Sequence, residues 1–171
     1  MTEIAIIGDR FMLSDAFATA LRKVAGQEAS LRTMELPWPD EPMVHGYAGS
    51  GLEGLKEYQG EPDAIVEFIG AAPVLVTHLA PITGAMLDRM PKLKLIAVSR
   101  GGPVNIDKAA ARERGVKLVN TPGRNASAVA EFTIAAILAE TRLIRAGHEA
   151  LRQGEWRGDL YRADLAGQEL S

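Results

Sequence analysis

A doubly wound α/β fold, in which a parallel sheet carries helices on both sides, is what this sequence predicts, and three features predict it. Short, mostly apolar runs recur along the chain at Ile4–Ile7, Pro73–Val76, Leu93–Val98 and Val116–Val119. Segments with apolar residues at helical spacing separate them. The main runs are continuous rather than alternating, and a strand has that character when both of its faces are covered, as in a parallel sheet.

The elements follow in order. Ile4–Ile7 ends at Gly8-Asp9 and predicts a central strand, with Asp9 in a turn or N-cap role. Ser14 to Ala25 sets Ala16, Phe17, Ala20, Leu21 and Val24 at helical spacing, with Ser14 as N-cap and Gly26 just past the end. Leu31 to Leu36 alternates Leu, Met and Leu with Arg, Thr and Glu, the pattern of a less buried outer strand. From Leu36 to Gly60 the chain is irregular and rich in proline and glycine. Within it, Gly49-Ser50-Gly51-Leu52-Glu53-Gly54 has the spelling of a dinucleotide fingerprint. That motif works between a strand and a helix, whose N–H groups then face the pyrophosphate; a proline-rich loop precedes this one, so it reads as loop.

Regular structure resumes at Pro62. Ile65, Val66, Phe68 and Ile69 predict a short helix and Pro73–Val76 a strand; Thr83 to Met90 predicts a helix capped by Thr83 and closed by Pro91. After the strand Leu93–Val98, Asn105 or Asp107 caps a helix filled by Ala109 to Arg114, Gly115 ends it, and Val116–Val119 forms a short strand. A long helix then runs from Asn125 to about Leu151, with Asn125 or Ser127 as cap. Between Phe132 and Ala139 it bears no charge, and a helix apolar all round is expected to be buried all round. Such cover requires a second domain, a second subunit or both.

Composition narrows the functions. The formal net charge of -3 on 171 residues gives no case for nucleic acid or an acidic membrane surface, which need clustered Lys and Arg. A mean hydropathy of -0.01 is that of a globular chain, neither disordered nor membrane-spanning. Cysteine is absent, which removes disulfides, thiol nucleophiles and Cys-ligated zinc. His45 and His148 have no metal-spaced partners, so no metal site is expected. The opening MTEIAIIGDRF lacks a basic segment and signal-peptide core, and a cytoplasmic protein is expected.

In doubly wound sheets, ligands sit beyond the carboxyl ends of the strands, which singles out Gly8-Asp9, Thr77 to Pro81, and Ser99 to Pro103. Ser99-Arg100-Gly101-Gly102-Pro103 is the most informative of these. Paired glycines let the main chain approach a ligand and leave N–H donors open to a carboxylate or phosphate; they serve a tight turn equally well. His78 is expected to be a partly exposed loop histidine, and Trp156 and Tyr161 to pack the segment after the long helix.

Four segments, LVTHLAPIT, PKLKLIAVSRGGPVNID, GVKLVNTPGRNASAVAEFTIAAILAETR and GEWRGDLYRADLAGQELS, together resemble the D-isomer-specific 2-hydroxyacid dehydrogenase family, which includes phosphoglycerate, glycerate and formate dehydrogenases. The resemblance covers Val74 to Leu170, while Met1 to Ala72 is compatible with it. In that family an N-terminal lobe, completed by a C-terminal segment, binds substrate, and a central Rossmann domain binds NAD or NADP. The resemblance thus implies a flavodoxin-like substrate lobe over residues 1–99, and a hinge with the opening of an incomplete Rossmann domain over residues 100–171. It places the GxGxxG fingerprint and the family's catalytic Arg, Glu and His beyond Ser171; no catalytic residue is assigned here, and the chain alone is expected to be inactive.

Binding roles are implied for Leu79 and Ala80 in one substrate loop, for the backbone N–H groups of Gly101 and Gly102, and for Asn125, with Val129 at a position touching nicotinamide. The implied ligands are a small 2-hydroxy or 2-oxo acid and NAD or NADP, and a homodimer through the 125–151 helix is expected. Val104-Asn105 departs from the Asp-Asn of many members. The alternative is a stand-alone flavodoxin-like module that holds a small anion at Gly101-Gly102 and dimerises through its long helix.

Overall fold

The computed structural model describes residues 1–26, 28–37, 52 and 54–160. The chain forms two compact units, Met1–Arg124 and Asn125–Ser171. In the first, β1 (Thr2–Gly8), β2 (Ala29–Glu35), β3 (Val74–Thr77), β4 (Leu95–Val98) and β5 (Lys117–Asn120) build a parallel sheet in the order β2-β1-β3-β4-β5. Four helices join them: α1 (Ser14–Ala25), α2 (Pro62–Ile69), α3 (Gly84–Asp88) and α4 (Lys108–Glu113). This is the flavodoxin-like α/β order, in which the chain reverses direction across the sheet between β1 and β3.

Alternation along β1 divides its side chains between two layers. Ala5 and Ile7 join a large cluster with Ile65 and Ile69 of α2, Met86 of α3, Ala110 of α4, and Leu75 and Ile96 of the sheet. Ile4 and Ile6 join a smaller cluster with Ala18 and Phe17 of α1 and Val76 of β3. Full burial of a large aliphatic side chain contributes about 1.5–3 kcal/mol, so the three-helix face holds most of the stability. On the α1 face a groove of about 170 Å3 remains within this unit, lined by Phe17, Val76, Ala97 and Val119 among others.

Two caps form as expected. Thr83 Oγ1 accepts from the Met86 N–H at 3.2 Å, and Asp107 Oδ1 accepts from the Ala110 N–H at 2.9 Å, which settles the α4 cap in favour of Asp107. Ser14 is not the α1 cap. Leu13 occupies that position, Ser14 is the first helical residue, and its N–H donates to Glu35 Oε1 at 2.6 Å. A carboxylate from the end of β2 therefore satisfies the positive end of the helix, so no local cap is needed.

The second unit differs from expectation in the number of its helices and in the cap of the first. The single long helix is two, α5 (Ala126–Thr141) and α6 (Ile144–Arg152). Thr141 Oγ1 bonds back to the Ile137 carbonyl at 2.9 Å, the Leu143 N–H tightens the last turn onto the Glu140 carbonyl, and Leu143 then adopts a left-handed φ of 53°. Asn125 holds the N-cap position of α5, but its side chain makes no capping bond. No residue of α5 is buried: Phe132 is 76% exposed and Val129 53%, and beyond α6 Trp156 is 74% exposed. Apolar side chains all round a helix create a demand for cover without naming its source. Tyr161 lies outside the described residues. Among those described, no helix is long and apolar enough to cross a membrane.

Candidate substrate site

Strand register sets the level of the candidate site. Ile7 lies opposite Thr77, Thr77 opposite Val98, and Val98 opposite Asn120, so β1, β3, β4 and β5 end together. The loops that follow them therefore gather along one edge, the side of such sheets at which ligands bind.

Leu79 and Ala80 belong to the loop after β3 and are 3% and 0% exposed. Thr77 Oγ1 accepts from the Ala80 N–H at 3.2 Å, and the Gln59 N–H donates to the Leu79 carbonyl at 3.0 Å. Asn105, fully buried, donates through Nδ2 to the carbonyls of His78 at 3.2 Å and Ala80 at 2.8 Å. It is thus a clamp on this loop, a role that its place before a helix does not reveal. At Val104 the backbone carries the contacts, accepting from Lys56 and donating to the Gly102 carbonyl, so the departure from Asp leaves these bonds intact.

Gly101 and Gly102 are held from behind and open in front. Asn120 Nδ2 donates to the Gly101 carbonyl at 2.8 Å, the Thr121 N–H to the Arg100 carbonyl at 2.9 Å, and the Arg100 guanidinium pairs with the carbonyl and carboxylate of Glu57. The N–H groups of Gly101 and Gly102 donate to no protein acceptor among the described residues. Neither glycine has positive φ. A Cβ at Gly102 would meet nothing within 4 Å, and one at Gly101 would make only ordinary contacts with Pro122 and Gly123, at 3.8 and 3.9 Å. Nothing among the described residues requires glycine at either position.

His78 differs from expectation: it is buried, at 7% exposed, not a partly exposed loop residue. The reason is Asp9, whose carboxylate is fully buried and lies 2.9 Å from His78 Nδ1. Asp9 has the turn role foreseen for it, since Oδ1 also accepts from the N–H groups of Phe11 at 2.9 Å and Met12 at 3.1 Å. Arg124 Nη2 approaches His78 Nε2 at 3.3 Å, a contact between residues 46 apart that no local pattern contains.

Asn125 and Val129 both belong to the second unit. Their four-residue spacing puts them on one face of the first turns of α5, and both are exposed. Of the Gly49–Gly54 spelling only Leu52 and Gly54 lie among the described residues, as does His148 but not His45. Among the described residues no group of three His, Asp or Glu could hold a metal ion.

Sheet order and strand-end loops define the class as a doubly wound α/β lobe. The profile of the D-isomer specific 2-hydroxyacid dehydrogenase catalytic domain matches residues 50–156, and the chain belongs to that family. Hydroxypyruvate reductase of Thermotoga maritima is 35% identical over 111 residues, 64% of this chain and 35% of that one. D-3-phosphoglycerate dehydrogenase of Mycobacterium tuberculosis is 35% identical over 100 residues, 58% of this chain and 18% of that one. The chain thus spans about a third or less of these relatives. An NAD-dependent formate dehydrogenase of Staphylococcus aureus, solved with NAD, shares the fold at 17% identity and a TM-score of 0.61, over 91% of this chain and 42% of that one.

Proposed function

We propose that this chain supplies the acid-binding part of an NAD- or NADP-dependent oxidoreductase that moves a hydride between nicotinamide and the hydroxyl-bearing carbon of a small D-2-hydroxy acid. The observation that carries this reading is the Gly101-Gly102 loop. Among the described residues it has two open main-chain donors at the strand-end edge, and glycines that neither conformation nor packing demands. A ligand carboxylate seated on those donors accounts for both features. Leu79 and Ala80, stiffened by Thr77 and Asn105, form the second wall. Asn125 is assigned to substrate and Val129 to nicotinamide.

The nicotinamide, when bound, gives or takes the hydride. Among the described residues no strand-to-helix turn has the glycine spacing that cradles a pyrophosphate, so this chain's share is to bind and orient the acid. Proton transfer at the hydroxyl requires a base, which is not assigned to any residue here. By itself the chain is expected to bind the acid without turning it over. Residues 1–99 serve as substrate lobe and 100–171 as hinge and start of the cofactor domain, with a second copy covering the 125–151 helices.

Titration calorimetry with D-glycerate tests the proposal. Gly102→Ala places a methyl group in open space within the chain but in the path of the acid, so it should leave the thermal midpoint unchanged and weaken binding about tenfold, some 1.4 kcal/mol. Equal affinity in the variant and the parent would remove the acid from this loop.

A further inference from the structure

Between β1 and β3, where the strand order reverses and doubly wound sheets form their ligand crevice, lies a polar array that the proposed function leaves unused. Asp9, His78 and Arg124 form a row: Asp9 Oδ2 to His78 Nδ1 is 2.9 Å, and His78 Nε2 to Arg124 Nη2 is 3.3 Å. A carboxylate only accepts hydrogen bonds and a guanidinium only donates them. A ring between them can donate to Asp9 and accept from Arg124 only with its proton on Nδ1 and a lone pair at Nε2. Phe11, edge-on to the His78 ring with centroids 6.2 Å apart, flanks the row.

The outer member is unusual in its partners. Arg100 and Arg114 spend their guanidinium groups on the carboxylates of Glu57 and Asp88. Arg124 instead meets two neutral acceptors, the imidazole nitrogen and, at 3.4 Å, the sulfur of Met12, and has no carboxylate partner among the described residues. It is exposed, and among the described residues its charge meets no carboxylate and most of its donor fork no acceptor. Its side chain rests on His78, next to Leu79 and Ala80, and its backbone follows Pro122-Gly123, which lie against Gly101. Arg124 thus meets one of the two proposed acid loops through its side chain and follows, in the chain, the residues that lie against the other.

We propose that Arg124 is a specificity residue, held by the Asp9–His78 pair, that receives a second carboxylate at the far end of the 2-hydroxy acid. The inference rests on the proposed acid site, in which main-chain N–H groups take the first carboxylate. A planar fork matches a planar carboxylate with two parallel bonds, and its charge is permanent. His78 is a positioning residue: it touches no substrate and sets the guanidinium through Nε2.

The test compares D-glycerate, with one carboxylate, and D-malate, with two, by calorimetric titration of the full chain. D-malate should bind about tenfold more tightly than D-glycerate, as a charge-assisted bidentate pair provides. Arg124→Gln should remove most of that advantage while changing D-glycerate affinity far less, and Arg124→Lys should restore part of it. His78→Asn keeps a donor toward Asp9 but has no acceptor at the Nε2 position, so it too should lose the advantage while thermal melts show a folded chain. Nitrogen NMR should find the His78 proton on Nδ1, a signature that a merely packed ring need not show. D-glycerate binding with D-malate no tighter, Arg124→Gln weakening both acids alike, or a proton on Nε2 would each overturn this inference and leave the acid site standing. Failure of both acids to bind would overturn the two together.

Discussion

The two units contain the same kinds of apolar side chain and treat them in opposite ways. In Met1–Arg124, Ile6, Ile7, Ile65, Leu75 and Ile96 are all 0% exposed, each covered by strands or helices of its own unit. In α5, Phe132 is 76% exposed, Ile134 50% and Ile137 40%, although these residues are no more polar. Hydrophobicity alone therefore does not distinguish a side chain that its own unit covers from one that it leaves exposed. Where a run alternates with segments that return over it, the chain closes its own core, and where it stands on α5 the described residues leave it exposed.

Asn105→Asp should have the largest effect. It replaces a donor with a carboxylate facing the carbonyls of His78 and Ala80 in a fully buried position, and an uncompensated buried charge costs about 4 kcal/mol. Urea denaturation reads this directly, and an unchanged midpoint would mean that the first unit is not closed around its strand ends. Phe132→Glu, in the other unit, should change folding stability by less than about 0.5 kcal/mol while reducing self-association measured by light scattering. A monomeric parent chain, or a large loss of stability in the variant, would dissolve the contrast between core and interface.

The smallest effect concerns the surface tie between α3 and α4. Arg114 Nε lies 2.7 Å from Asp88 Oδ1, and this hydrogen bond holds the Asp88 carboxyl below its ordinary value. A depressed folded value means that the pair stabilises at neutral pH and loses that contribution as pH falls through the folded titration. In Arg114→Gln the Asp88 titration followed by NMR should move up toward 3.8, with little change in the melt at pH 7. An unmoved titration would show that the pair adds nothing.

Locally encoded features were legible in the sequence. The five strands, the caps at Thr83 and Asp107 and the glycine pair at 101–102 each depend on residues within a few positions of one another. What escaped depends on distant partners. Glu35 satisfies the start of α1 from 21 residues away, Asn105 clamps carbonyls 27 and 25 residues back, and Asp9 reaches His78 across 69. The break at Leu143 is local but carries no glycine or proline to announce it, and the backbone accepts a left-handed residue there against its usual cost of about 1–2 kcal/mol. The glycine pair itself was visible at once, whereas the bonding around it was not.

Amide NMR of the chain titrated with D-glycerate addresses the acid site most directly. The expected result is a saturable shift of the Gly101 and Gly102 amides, with smaller shifts at Leu79 and Ala80 and none in α4. Saturation elsewhere with the Gly101 and Gly102 amides unmoved, or no shift at all, would contradict the assignment of this strand-end edge as the place where a 2-hydroxy acid is held.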